Sequence, residues 1–355
     1  MPRLVPALGS LGDRAATALP ARGTVAPFEP IAAERFVLEG QGFAEGRAHG
    51  DELARGWPPA SLAEVLECAN RTTTVFPKVL GGRGHGYGWD REDDRTPHWY
   101  PQGITGSADA DPSGLLTERE VHAVSWYSKR GHGARLSLVD VAARRYRHVL
   151  CVRPTGGEGF EPVKVHAGGV AWVRNFIYVA DTRRGLRVFD TQRILHVPER
   201  SREATHGYAY LMPQVGAFRS TGAALLFSFT SLDRSEPATL AVGEYTRGRG
   251  GQVVRWPIDL ATGLLTSEKA IEAHRAPVDR LQGVASVAGH LLASSSRRGG
   301  RLYVGRASEP LRRLVWWPFH PEDLYVSWPT DEIYSLTEDP GARMVMGVQF
   351  AELGL

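Results

Sequence analysis

His166-Ala-Gly-Gly-Val-Ala-Trp-Val-Arg-Asn-Phe-Ile-Tyr-Val-Ala-Asp-Thr-Arg-Arg-Gly-Leu-Arg-Val-Phe-Asp190 reads as three short strands in succession. Gly169 to Val173 is one, Phe176 to Asp181 the next and Leu186 to Asp190 the third, with Thr182 to Gly185 as a turn and a fourth strand ending near Val197. β-branched and aromatic residues fill the runs, and Gly and Asp punctuate them. The unit opens on a polar residue beside small ones, His166-Ala-Gly-Gly. Looser copies of that phrase stand at Pro101-Gln102-Gly103-Ile104-Thr105, Pro213-Gln214-Val215-Gly216-Ala217, Leu281-Gln282-Gly283-Val284-Ala285 and Glu322-Asp323-Leu324-Tyr325. A repeat of some tens of residues, each followed by several strands, is the pattern of a β-propeller.

The remaining units follow the same grammar. The first is carried by Gly103 to Ser107, Val121 to Tyr127, Ala134 to Asp140 and Tyr146 to Val152. The third takes Val215 to Phe218 as its inner strand, then Ala224 to Thr230, Thr239 to Tyr245 and Gln252 to Ile258. The fourth begins at Gly283 and the fifth at Leu324. The fold class is therefore all-β, a single propeller over residues 97–355. Five blades are expected, with six as the alternative if residues 25–98 build one. Residues 1–96 read as an arm packed on the propeller, which supplies a ring-closing strand from near Arg35 to Leu38 or Tyr87 to Trp89, because an open sheet edge is a liability. The arm's best helix is 60–69, with Ser61 as cap, Glu64 three residues on and an apolar stripe at Leu62, Val65, Leu66 and Ala69. Gly81 to Gly88 reads as a flexible loop; it lacks the Gly-Lys-Ser/Thr ending of a phosphate loop.

Composition bounds the function. The chain has 355 residues, 42% hydrophobic and 23% charged, with a formal charge of +3 and only two cysteines. That charge is too balanced for a nucleic-acid partner. Two thiols make no disulfide framework and suit a reducing compartment. No run of 18 apolar residues exists, so no membrane partner is expected, and the first 30 residues lack the apolar core of a secretory signal. A cytoplasmic location is expected.

Several stretches resemble a family of functionally uncharacterised actinomycete β-propeller proteins, most of them secreted. They are Trp-Tyr-Pro-Gln-Gly-Ile-Thr-Gly-Ser-Ala-Asp at 99–109, Ser-Trp-Tyr at 125–127, Tyr-Arg-His-Val-Leu at 146–150, His-Ala-Gly-Gly-Val-Ala-Trp at 166–172, Tyr-Val-Ala-Asp-Thr at 178–182 and Gly-Leu-Arg-Val-Phe-Asp at 185–190. The resemblance covers most of 97–350 and implies a propeller without an established activity. This chain departs from it in showing no signal peptide, which implies intracellular work such as a step in specialised metabolism.

In a propeller the repeated polar position faces the channel. It gives Gln102, His166, Gln214, Gln282, Glu322 and Asp323. Amides orient a substrate but do not titrate; the imidazole does, near neutral pH. His166 is the candidate acid–base catalyst, with Glu322 and Asp323 as its charged partners. Gln102, Gln214 and Gln282 are candidate substrate-binding residues, joined at the mouth by Tyr208, Tyr210, Trp126 and Tyr325. A carboxylate glycosidase is disfavoured, since only the fifth copy carries acids. Asp109, Asp181 and Asp233 are a poor calcium set, and no histidine pair sits at helical metal-binding spacing. The expected function is a lyase, cyclase or isomerase acting on a small molecule without metal or organic cofactor. The alternative is a non-catalytic propeller that binds a small ligand, glycan or protein.

Overall fold

A computed structural model describes residues 23–248 and 250–355. Its strands form four hydrogen-bonded sheets, the largest of which divides into two antiparallel groups; the five antiparallel groups are numbered here as sheets in chain order. Sheet 1 is Trp99–Gly106, Val121–Ser128, Ala134–Asp140 and Arg145–Gly156; sheet 2 is Val170–Val173, Phe176–Asp181, Gly185–Asp190 and Tyr210–Ser220. Sheet 3 runs Phe229–Asp233, Thr239–Gly243, Gln252–Asp259 and Glu272–Arg275. Sheet 4 runs Leu281–Val287, His290–Ser295, Arg301–Gly305 and Leu311–Leu314. Sheet 5 begins with Pro321–Ser327, Glu332–Thr337 and Met344–Gln349. Sheets 1 and 2 join through a short parallel pairing of Leu150 to Val152 with Leu211 to Pro213.

The first strand of each sheet meets the first strand of the next, and the series closes on itself. Glycine makes three of the seams. A Cβ on Gly103 would stand 2.8 Å from the Val170 nitrogen, one on Gly169 would collide with the Thr230 nitrogen, and one on Gly283 would stand 2.7 Å from the Leu324 nitrogen. Ser231 donates to the Val284 carbonyl at the sheet 3–4 seam, and Asp323 accepts from the Ile104 amide, at 3.3 Å, at the sheet 5–1 seam. This is a β-propeller. The glycines of the repeated phrase exist because neighbouring backbones touch there.

Residues 24–88 form no sheet of their own. They circle the outside and add an edge to every sheet. Thr24–Val25 pairs on sheet 4, Glu29–Pro30 on sheet 3 and Leu38–Gln41 on sheet 2. Arg71–Thr72 pairs on sheet 1, and Gly84–Gly88 with Thr74–Val79 completes sheet 5 beside Met344–Gln349. Gly81 to Gly88, expected as a loop, is thus largely strand. A Cβ on Gly86 would strike the Val345 carbonyl, so the glycines serve close approach rather than mobility.

Two helices ride on this belt. Helix α1, Phe43–Gly56, is longer than the helix expected at 60–69 and was not foreseen, because Gly46 and Gly50 weaken its pattern. Gly46 is needed: its Cβ would stand 2.8 Å from the Val215 carbonyl, so the helix lies flat on sheet 2. Phe43 packs edge-on to Phe218, and Leu53 is buried with Leu150, Val152 and Leu211. Helix α2 is Leu62–Glu67, capped by Ser61, whose Oγ accepts from the Glu64 amide at 3.1 Å. Ser61→Ala should cost about 1 kcal/mol, read as a lower urea midpoint.

The third sheet departs from the expected register. Val215 to Phe218 lies in the outer strand of sheet 2, and the inner strand of sheet 3 is Phe229–Asp233. The phrase at 213–217 is a mimic: Gly216 is small because the Phe43 ring of α1 sits against it. No helix among the described residues is long and apolar enough to cross a membrane.

Candidate functional site

Inner strands start at the end of the propeller where the repeated phrase sits. Gln102 is 3% exposed and donates to Glu338 Oε2 at 2.6 Å; Gln282 donates to Glu322 Oε1 at 3.3 Å. Burial, then the Glu338, Asp323 and Asp339 carboxyls, push the Glu322 carboxyl well above the usual range. Burial and Asp339 raise Glu338 as well, against the lowering effect of its Gln102 bond. Two amides thus each hold a carboxyl that favours its protonated form. Tyr127 stands in the field of both acids and lies against His166 with the rings tilted by 40° and their centroids 4.3 Å apart.

His166 lies in the exposed segment that leads into the inner strand of sheet 2. The protein packed around its ring and the Lys129 ammonium depress its pKa below 6.5, so the neutral imidazole prevails at neutral pH. No hydrogen bond ties its nitrogens to any described residue. Beside it opens a cleft of about 1000 Å³ between the end of sheet 1 and the Asp181–Arg184 turn of sheet 2. The structure therefore gathers Gln102, Gln282, Glu322 and His166 at one end, with Tyr127 between the imidazole and the acids.

Other expected site residues lie elsewhere. Asp323 does not face His166. It is wholly buried on the axis, where Oδ2 accepts from the Ile104 and Val170 amides at 3.3 and 3.2 Å. It pins sheets 1 and 2 to sheet 5. Gln214 is off the axis, in the outer strand of sheet 2, where its Oε1 accepts from Arg187 at 3.3 Å. Tyr325 is buried, its hydroxyl accepting from the Ala108 amide at 3.2 Å. Trp126 is buried beneath the Arg135 guanidinium, 4.8 Å from the ring centroid. Tyr210 is buried at the junction of sheets 1 and 2, its hydroxyl 3.4 Å from Glu64. Tyr208 lines a separate cavity of about 260 Å³ with Trp99, Arg135 and His148. These shifts share a cause: alternation along a strand sends every second side chain into the packing between sheets, and the register error at 213–217 moved three of the residues off the axis.

Glu338 and Lys129 were missed. Both sit in turns between the second and third strands of their sheets, which return to the end where inner strands begin. Searching those turns would have found them.

The 260 Å³ cavity adjoins a buried ionic node. Asp93, 2% exposed, accepts from Arg135 at 2.7 Å, Tyr146 at 2.6 Å and His148 Nε2 at 2.8 Å, with Arg71 3.1 Å away. His148 Nδ1 takes the Ser137 hydroxyl at 2.9 Å. The resulting Ser–His–Asp chain is not a nucleophile relay, because Ser137 is 0% exposed and Asp93 is committed to two guanidiniums. Among the described residues no group of three or more His, Cys, Asp or Glu side chains is placed to hold a metal ion.

No protein-family model and no curated protein matches the sequence. Among solved structures the chain is similar to the crystal structure of Chaetomium thermophilum Raptor, at 10% identity and a TM-score of 0.33, over 70% of this chain and 19% of that one. The fold stands on the strand pairings themselves.

Proposed function

We propose that this protein is a cofactor-independent enzyme that moves a proton on a small organic substrate, in a reaction of lyase, cyclase or isomerase type. His166 acts as the base. The supporting observation is its setting: an exposed imidazole with depressed pKa and unpartnered nitrogens, on the wall of a cleft of ligand size. Glu338, held by Gln102 and raised in pKa, is the proton donor across Tyr127. Cys68 and Cys151 are both free thiols, which supports work in a reducing compartment such as a biosynthetic step inside the cell.

The test is incubation of the full chain with a library of small polar metabolites in D2O, followed by mass spectrometry. Wild type should add deuterium to, or convert, at least one compound. His166→Ala should lose about 100-fold or more of that rate, with a melting temperature within about 1 °C of wild type. The base acts in its neutral form and the Glu338 donor in its protonated form, so the rate should rise with pH through a His166 pKa below 6.5 and fall again as Glu338 loses its proton, a bell-shaped profile. Undiminished turnover by His166→Ala would overturn the proposal.

A second proposal, a non-catalytic binding propeller, draws support from Asp323, which only ties backbone together on a closed axis. Compounds that bind without any isotope exchange would favour it.

A further inference from the structure

The cleft beside His166 has a charge the rest of the chain does not. The whole sequence carries 42 basic and 39 acidic residues, a net of +3. The cleft alone is lined by Arg153, Lys164, Arg183, Arg184 and Arg187 against only Glu161 and Asp181. Both acids are already taken. Arg153 Nη2 reaches Glu161 at 2.7 Å, and Arg187 grips Asp181 Oδ2 through Nη2 at 2.7 Å and Nε at 2.9 Å. Gln214 holds the third corner of the Arg187 guanidinium. Lys164, Arg183 and Arg184 have no carboxylate partner among the described residues and are exposed. Three free cations and a neutral imidazole therefore share one concavity, and the low-dielectric walls of a cleft concentrate such a field. A solvated surface needs no such arrangement, because two charges of like sign in one short turn repel.

We infer that this cleft binds the anionic group, a carboxylate or phosphate, of the substrate on which His166 acts. Arg183 and Arg184 lie on the tight turn Asp181–Gly185, anchored by the Arg187–Asp181 pair, so their forks are carried by a fixed backbone. The inference rests on the proposed role of His166 but can fail separately from it. About 1000 Å³ exceeds what one phosphate fills, so the anionic group is an anchor and the organic part occupies the rest of the cleft beside His166.

The probe is inorganic phosphate, titrated into the full chain at low salt. Calorimetry follows binding and NMR follows the histidine rings. Phosphate should bind and shift the His166 titration upward, since a bound anion favours the imidazolium. The double variant Arg183→Ser/Arg184→Ser should weaken binding at least tenfold and erase the shift. Arg297→Ser/Arg298→Ser, a like pair on another turn, should leave binding unchanged. Equal weakening by both pairs would mean diffuse charge attraction and would overturn the inference, as would failure of phosphate to move His166. His166→Ala should keep phosphate binding within threefold. If His166→Ala also kept turnover, the base assignment would fall while the anion site stood. If the arginine pair proved irrelevant to binding while His166 remained essential, the reverse would hold.

Discussion

Asp93→Ala is expected to lower stability by about 3–5 kcal/mol, because it strands Arg135 and Arg71 beside a cavity with no counter-charge. The carboxylate is 2% exposed and meets four groups at 2.6 to 3.1 Å. The Arg135 guanidinium it holds is itself sandwiched, 4.4 Å from the Trp99 ring centroid and 4.8 Å from that of Trp126. Burial alone would push the Asp93 carboxyl up. His148, Arg135 and Arg71 more than offset this and hold it well below the usual range. A protein of ordinary stability has about 5–15 kcal/mol in total, so the variant should melt roughly 10 °C lower or fail to fold. A loss under about 1 kcal/mol in urea titration would show that the node is dispensable.

The same node sets an acid limit. Burial, then Arg135, lowers the His148 pKa from 6.5 to about 4, so its Nε2 donates to Asp93 as a neutral ring. The unfolded chain binds that proton near pH 6.5 and the folded one only near 4. The stability contributed is complete above 6.5 and is lost as pH falls toward 4, on the order of 3 kcal/mol. Wild type should therefore lose urea resistance across that window, and His148→Gln, which cannot take up the proton, should blunt the loss.

Asp323→Leu is the second large effect. It removes the acceptor for the Ile104 and Val170 amides in a wholly buried place, at about 1–3 kcal/mol for each stranded donor. Asp323→Asn should stay within about 1 kcal/mol of wild type. Burial, against the lowering effect of the backbone amides it accepts from, pushes the carboxyl above its ordinary range and so disfavours its charge, and an amide oxygen can accept the same two bonds. An Asn variant as unstable as the Leu variant would show that the negative charge itself is required. Melting curves on both variants decide it.

These two residues mark how far the chain could be read. The first three strands of sheet 2 came directly from residues 166–190, because alternation and a Gly-ended turn are local signals; its fourth, expected to end near Val197, is instead Tyr210–Ser220. Glycine's role did not: Gly103, Gly169 and Gly283 look permissive in sequence, and only the neighbouring strand shows that they are contact points. The phrase at 213–217 misled because a helix packed on an outer strand demands the same small residue as an axial seam. His166, Gln102, Gln282 and Glu322 stand at strand starts, as the repeated phrase implied, but Gln102 and Glu322 are buried and His166 opens on a cleft between sheets 1 and 2 rather than on a shared channel. Asp93 was invisible, since its partners are drawn from sequence separations of 22 to 55 residues. The charged cleft was half visible: Arg183-Arg184 reads as an ordinary solvated pair until Arg153 and Lys164 arrive from another sheet.

The belt runs against the chain. From Thr24 to Gly88 it visits sheets 4, 3, 2, 1 and then 5, while the propeller itself is built from 1 to 5. During synthesis Thr24–Val25 emerges more than 280 residues ahead of its partner, Leu311 to Arg312. That edge of sheet 4 can be covered only once residue 312 has been made, so the belt ties together parts of the chain that are furthest apart in the order of synthesis.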